Sequence, residues 1–295
     1  MSRENLLEAL AGRVLLCDGA MGTQLIAAGL EVGVCGEGWN LDHADCVEAI
    51  HRRYLDAGCD MVTTNTFQAT RTALAMHGLD DQVAPISQAA AELARRAAGD
   101  AAWVLGDVGP FGGFLEPMGD VTIDQLHDIF TEQIAALDAG GVDAVIVETM
   151  SDPAESATAV RAAKTLANRP VIATFAFQKA GDRMLTMMGT DPAAALAAVL
   201  DAGADIVGAN CGTGLDLDDY VRLAEQLVDA AGSAPVILQA NAGSPVQRDG
   251  QTHFPATPND MARAVRRFRD AGVRLIGGCC GTTPEHLAAM RTALM

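Results

Sequence analysis

Short apolar runs alternate along this chain with longer Ala-rich stretches of mixed polarity. Eight runs rich in Val, Ile and Leu stand at 14–17, 61–64, 103–107, 144–148, 171–175, 206–210, 236–240 and 274–278. Continuous apolar runs of this length read as parallel strands covered on both faces. The stretches between them suit helices, so the pattern predicts successive βα units.

A four-fold repeat supports that count. Asp56-Ala57-Gly58, Asp138-Ala139-Gly140, Asp201-Ala202-Gly203 and Asp270-Ala271-Gly272 stand just before the second, fourth, sixth and eighth runs. Each glycine suits the left-handed residue that closes a helix. Asp152-Pro153, Asp191-Pro192, Thr257-Pro258 and Thr283-Pro284 each put a capping side chain before a proline at the first helical position. This recurrence predicts an α/β chain folded as one (β/α)8 TIM barrel over 1–295, a single domain. The alternative, an open doubly wound sheet, wants a Gly-rich dinucleotide fingerprint after the first strand. Asp18-Gly19-Ala20-Met21-Gly22-Thr23 does not have its spacing. The stretches 29–42, 110–122, 178–191 and 242–258 read as irregular loops beyond the carboxyl ends of strands, where barrel enzymes build their sites.

Composition narrows the class. Hydrophobic residues make up 49% of the 295 and aromatics only 4%, so Ala, Val, Leu and Ile carry the burial. A formal charge of −18 argues against nucleic acid or an anionic membrane as partner. No apolar run approaches the roughly 20 residues of a membrane helix. Met1-Ser2-Arg3-Glu4-Asn5 does not open a signal peptide. Seven cysteines, an odd number without disulfide-framework spacing, fit a cytoplasmic protein whose clustered thiols hold metal or react.

The chemistry gathers at the strand ends. Cys211 closes the sixth run, and Gly277-Gly278-Cys279-Cys280-Gly281 closes the eighth. Neighbouring strand residues face opposite ways, so Cys279 and Cys280 share a centre only if the backbone bends there, and the flanking glycines allow that. Three cysteines make a three-thiolate zinc site with one position open. Thiolates prefer zinc to magnesium or calcium, and zinc keeps a bound thiol ionised at neutral pH while the surplus negative charge leaves the sulfur able to attack. That is the chemistry of thiol alkylation. Cys17, Cys46 and Cys59 read as packing, and His286 as a surface or dipole-facing residue rather than a fourth ligand. Glu148 ends an apolar strand, where a buried carboxylate wants a cationic group. Asp18 reads the same way. The turn over Gly19-Ala20-Met21-Gly22-Thr23 offers backbone N–H groups to an anion. Asn65 and Asn241 are either polar ligand contacts or loop caps. The fifth strand offers little polar chemistry.

These residues carry a resemblance. Asp18-Gly19-Ala20-Met21-Gly22-Thr23, Thr64-Asn65-Thr66-Phe67, Glu148-Thr149, Asn210-Cys211, Asn241-Ala242-Gly243 and Gly277-Gly278-Cys279-Cys280-Gly281-Thr282-Thr283-Pro284 look like the zinc-dependent homocysteine S-methyltransferase family, across nearly the whole chain. The resemblance implies a (β/α)8 barrel, Zn²⁺ on Cys211, Cys279 and Cys280, and homocysteine sulfur as the fourth ligand. It also implies Glu148 on the substrate ammonium with Asp18 assisting, and backbone at Ala20, Met21, Gly22 and Thr23 on the carboxylate. Asn241 would fill the open metal position, or hold a water there, when substrate is absent. Within the family, Asn241-Ala242-Gly243-Ser244-Pro245 is most similar to the homocysteine-binding module of cobalamin-dependent methionine synthase. No second barrel for folate and no D-x-H-x-x-G cobalamin pattern is present, which leaves a methyl-corrinoid (cobalamin) on a separate corrinoid-binding protein as the expected donor. The other donors used in such a family, S-methylmethionine and glycine betaine, are the alternative. With 2 Trp and 2 Tyr, an aromatic cage for a quaternary ammonium is not evident. A barrel with structural zinc, or a cysteine-nucleophile hydrolase, remains the rival outside the family; the hydrolase lacks a histidine base beside its thiol.

Overall fold

The computed structural model describes residues 4–166, 169–248 and 251–295, so Met1-Ser2-Arg3 of the stretch read against a signal peptide lies outside the described residues. Twelve strands occur among them: β1 (Leu15–Leu16), β2 (Met61–Thr63), β3 (Trp103–Val108), β4 (Ala144–Met150), β5 (Val171–Phe175), β6 (Phe177–Ala180), β7 (Arg183–Thr186), β8 (Ile206–Asn210), β9 (Val236–Ala240), β10 (Val246–Arg248), β11 (Gln251–His253) and β12 (Leu275–Gly278). Eight of these form one sheet in the order β1-β12-β9-β8-β5-β4-β3-β2. Every pairing in it is parallel.

The sheet curls until its two ends meet. β1 is only two residues long, and one backbone bond together with two aspartate side chains closes the seam to β2. Asp60 N donates to Leu16 O at 2.8 Å, and Leu16 N to Asp60 Oδ2 at 2.7 Å. One turn nearer the mouth, Thr63 N donates to Asp18 Oδ2 at 2.8 Å and Thr63 Oγ1 to Asp18 Oδ1 at 2.9 Å. The result is a nearly closed barrel of eight parallel strands ringed by helices, as the alternation predicts.

Two packed layers follow from the strand period. Leu16, Val62, Val104, Val145, Ala173, Val207, Leu238 and Ile276 face outward into the core shared with the helices. Leu15, Met61, Leu105, Ile146, Ile172, Ile206, Ile237 and Leu275 face inward and fill the barrel floor. Each strand therefore buries both faces, which is why its sequence is continuously apolar.

All four proline-marked helices start where expected, at Pro153, Pro192, Pro258 and Pro284. The glycine repeat holds at three places of four. Gly58, Gly203 and Gly272 have φ of 94°, 103° and 109°. Gly140 is right-handed, and Gly141 takes the left-handed turn with φ 88°. The helix Ile123–Ala139 runs one residue further than its repeat because a second glycine is available. Gly140 serves a different need: a Cβ there would sit 2.5 Å from Ala91 Cβ on the neighbouring helix.

Two stretches read as irregular contain hairpins. β6 pairs with β7 and β10 with β11, both antiparallel. Gly181-Asp182 joins the first pair, and Gly181 has φ 63°. A two-residue glycine-containing turn between short alternating runs is a hairpin signal. The corresponding Asp249-Gly250 of the second pair lies outside the described residues.

Candidate metal and substrate site

Two residues above the apolar floor, the same inward-facing positions become polar. Cys17, Thr63, Asp107, Glu148, Thr174 and Gln239 each follow a floor residue by two, the spacing that keeps a side chain on one face of a strand. Asn210, Asn241 and Cys279 stand one further step up, at the mouth.

The three cysteines meet there. The Sγ atoms of Cys211, Cys279 and Cys280 lie within 4.8 Å of one another, with Cys211 and Cys280 3.8 Å apart. Asn210 and Cys211 are sequence neighbours, yet both reach this centre, because Cys211 has a left-handed backbone with φ 55°. That conformation strains a side-chain-bearing residue by roughly 1–2 kcal/mol. It is held by Cys211 N on Gln239 O at 3.1 Å and by the Tyr220 hydroxyl on Cys211 O. Cys279 and Cys280 converge through a turn. Thr282 N and Oγ1 both donate to Cys279 O, at 3.1 and 2.7 Å, and Gly281 has φ 79°.

Zinc bonds sulfur at about 2.3 Å, so a tetrahedral ion sets its sulfurs about 3.8 Å apart. The Cys211–Cys280 separation matches that spacing. None of the seven cysteines is in a disulfide. Hydrogen bonds from Cys279 and from Cys280 pull Cys211 well below the usual thiol range, and the resulting thiolate pushes Cys279 and Cys280 up. Three thiolates this close repel one another, so a cation is needed to hold all three ionised. The donor set fits Zn²⁺.

Beside the sulfurs lies Glu148. Burial, then Cys211, then Asp18 push its carboxyl up to about 8. Asn210 joins it to the cysteines. Asn210 Oδ1 accepts from Thr149 N at 2.8 Å and Thr174 Oγ1 at 2.7 Å. Its Nδ2 faces Thr149 Oγ1 at 2.6 Å, Glu148 Oε2 at 3.3 Å and Cys279 Sγ at 3.9 Å. Because a backbone N–H can only donate, the Thr149 contact fixes which end of this amide is oxygen.

The remaining sequence-predicted positions divide. Asp18 is buried, pushed up to about 6 by burial, and both its oxygens are taken by Thr63. Ala20 N already donates to Thr282 Oγ1 at 3.1 Å. Met21 precedes the short helix Gly22–Ala27, and Thr23 Oγ1 is buried without a partner. Asn65 is drawn away from the centre: its Nδ2 binds Gly36 O at 2.8 Å and Asn40 Oδ1 at 3.1 Å, tying down the loop after β1. Asn241 lies against the sulfurs, where its amide helps lower Cys211. Its Nδ2 donates to Gly212 O at 3.0 Å and its buried Oδ1 has no partner. His286 is buried rather than superficial: it binds Thr283 N through Nδ1 and lies 2.9 Å from Ala256 O through Nε2, so it braces a helix start. Thr174 was not singled out from sequence, and Asn210 entered only as part of the Asn210-Cys211 motif, without a role. The signal was there, since counting in twos from Ile206 and from Ile172 places both on the barrel interior.

A sequence model of the homocysteine S-methyltransferase family matches residues 15–294. Methionine synthases of Mycobacterium leprae and Mycobacterium tuberculosis are 37% and 36% identical to the chain over 98% of it. The chain spans about a quarter of the length of those curated relatives, 25% in each case. The crystal structure of the metallated homocysteine methyltransferase MmuM from Escherichia coli superposes with a TM-score of 0.80 at 24% identity, covering 97% of this chain and 99% of that one.

Proposed function

The chain belongs to the homocysteine S-methyltransferase family, and from that premise we propose that it methylates the thiolate of homocysteine to give methionine. The observation that carries this is the sulfur trio standing beside a buried carboxylate, with Asn210 touching both. A γ-thiol amino acid has a sulfur and an ammonium at matching ends.

In this reading Cys211, Cys279 and Cys280 hold Zn²⁺, which when bound keeps the substrate thiol ionised at neutral pH. Glu148 takes the ammonium, which restores the carboxylate charge that burial disfavours. Asn210 fixes Glu148 relative to Cys279. Backbone N–H groups at Met21, Gly22 and Thr23 face the carboxylate, with Asp18 bracing that end of the barrel. The unpartnered Asn241 Oδ1 supports its role beside the fourth metal position in the absence of substrate. The sulfur–carbon bond forms as the donor's bond to the methyl carbon breaks, and that bond's electron pair stays with the donor.

We assign the donor as a methyl-corrinoid on a separate protein, in the cytoplasm. The resemblance of Asn241-Ala242-Gly243-Ser244-Pro245 to the homocysteine-binding module of cobalamin-dependent methionine synthase supports the donor class, and seven unpaired cysteines support the compartment. Tyr54 and Tyr220 are fully buried, and Trp103 belongs to the barrel floor. That leaves few rings for a glycine betaine cage.

The test assays zinc-loaded protein and homocysteine with each donor. Methionine formation only with methyl-corrinoid is expected. Turnover with S-methylmethionine or betaine alone would overturn the donor assignment. X-ray absorption should show the metal gaining one sulfur on adding homocysteine; an unchanged coordination shell would point to structural metal instead.

A further inference from the structure

Asp107 sits in the polar ring of the barrel interior and has no task in the scheme above. It ends the inward face of β3, two residues beyond the floor residue Leu105. Its partner across the sheet is Ile146, which precedes Glu148 by two on the same face of β4. The two carboxylates therefore stand on the same inward face of adjacent strands, with Glu148 one step nearer the mouth than Asp107.

Asp107 is only 4% exposed, and its Oδ1 has no hydrogen-bond partner. The backbone around it is fully engaged: Asp107 N accepts no further role, donating to Thr64 Oγ1 at 2.9 Å, and Asp107 O accepts from Thr66 Oγ1 at 2.7 Å and Gln133 Nε2 at 3.1 Å. The strand end is thus rigid while the carboxyl tip is uncommitted. A buried carboxylate oxygen left without a donor is costly, so it marks a place where a donor arrives. Burial, then Glu148, Glu37 and Asp18 push the Asp107 carboxyl well up. Asp18 differs in the decisive respect, since Thr63 already occupies both its oxygens.

We propose that Asp107 and Glu148 together cradle the ammonium of the amino-acid substrate, with Asp107 Oδ1 as the second acceptor. This rests on the homocysteine reading and adds a residue to it. An ammonium carries three donors, and one carboxylate cannot satisfy them all. With Glu148 on one side and Asp107 on the other, the α-amino group is gripped from two adjacent strands, and a thiol acid lacking that group leaves two acidic oxygens facing each other. Asp107 in this role is a specificity determinant for an α-amino thiol over a plain thiol acid.

The experiment measures binding of L-homocysteine and of 4-mercaptobutanoate, its des-amino analogue, to zinc-loaded wild type and Asp107→Asn by calorimetry. The substitution should weaken homocysteine by about tenfold or more, the size of one charge-assisted hydrogen bond, with 4-mercaptobutanoate unchanged or tighter. Asp107→Ser is measured in parallel, in case the first variant folds poorly, and is expected to behave alike. Equal weakening of both ligands, or no weakening of homocysteine, overturns the assignment and leaves Asp107 a hydrated or packing residue. Wild type showing no preference for homocysteine would overturn the amino-acid reading itself, so the two failures are told apart.

Discussion

Glu148 is held in a state that its neighbours dislike, and this has a measurable sign. Burial first, then the Cys211 thiolate and Asp18, raise its carboxyl from 4.5 to about 8. Between those values the folded chain keeps a proton that the unfolded chain has released. Stability contributed by this proton is full below pH 4.5 and is lost as pH rises toward 8. Glutamine keeps the shape and cannot ionise. In metal-free, reduced protein, the stability of Glu148→Gln relative to wild type should therefore rise from about pH 4.5 to about pH 8 and stay level above. Urea unfolding of both proteins at a series of pH values checks it; a constant difference would mean that Glu148 ionises normally and needs no cationic partner. Sequence alone supplied the motive for this residue, a carboxylate ending an apolar strand. It could not supply the way Cys211 joins Cys279 and Cys280 beside Asn210, because that depends on the left-handed turn at Cys211, a conformation no side chain announces.

At the scale of elements, strands were legible and their closure was not. Val171–Phe175, Ile206–Asn210 and Val236–Ala240 occur with the bounds that their apolar runs give. Position 14 falls outside β1 because only Leu15 and Leu16 enter the ladder with β12. The β1–β2 seam rests on one backbone bond and on side chains, with Asp18 and Asp60 reaching over more than forty residues to backbone N–H groups. Nothing in local periodicity encodes a pairing of that kind. The glycine turn of the β6–β7 hairpin, by contrast, was readable and was passed over. The seam gives Asp18 a structural task, and a substitution separates it from substrate binding. Asp18→Ala leaves the part-buried Thr63 N–H without its acceptor, which should cost about 1–3 kcal/mol of stability. Amide exchange at Thr63 should quicken far more than at Val145, which lies in the paired centre of the sheet. If stability and exchange stay unchanged while homocysteine binding is lost, Asp18 acts on substrate and the seam does not depend on it.

The proposed metal site would tie the whole molecule together. Its three cysteines stand at the ends of β8 and β12, which are not neighbours: β9 lies between them in the sheet. A single ion on Cys211, Cys279 and Cys280 would therefore clamp three consecutive strands at the mouth, and the chain's formal charge of −18 adds an attraction for any cation. Binding to the folded chain alone stabilises it by about 2.7 kcal/mol when free zinc is a hundred times its dissociation constant. In a chain of this size that raises the melting temperature by roughly 5 °C. Zinc should produce this upward shift in reduced wild type, and a chelator should reverse it. Cys211→Ser, which keeps the left-handed turn but removes one thiolate, should still fold and should lose most of the shift. An equal shift in both proteins, read by calorimetry with metal content measured alongside, would place the ion elsewhere. A clamp also predicts where the stabilisation appears. Amides of β9, held between the two ligand-bearing strands, should slow in exchange when zinc is added, while those of β3, across the barrel, should change only by the global amount. The loss of that local difference in Cys211→Ser would tie the metal to these three strands and to no other part of the ring.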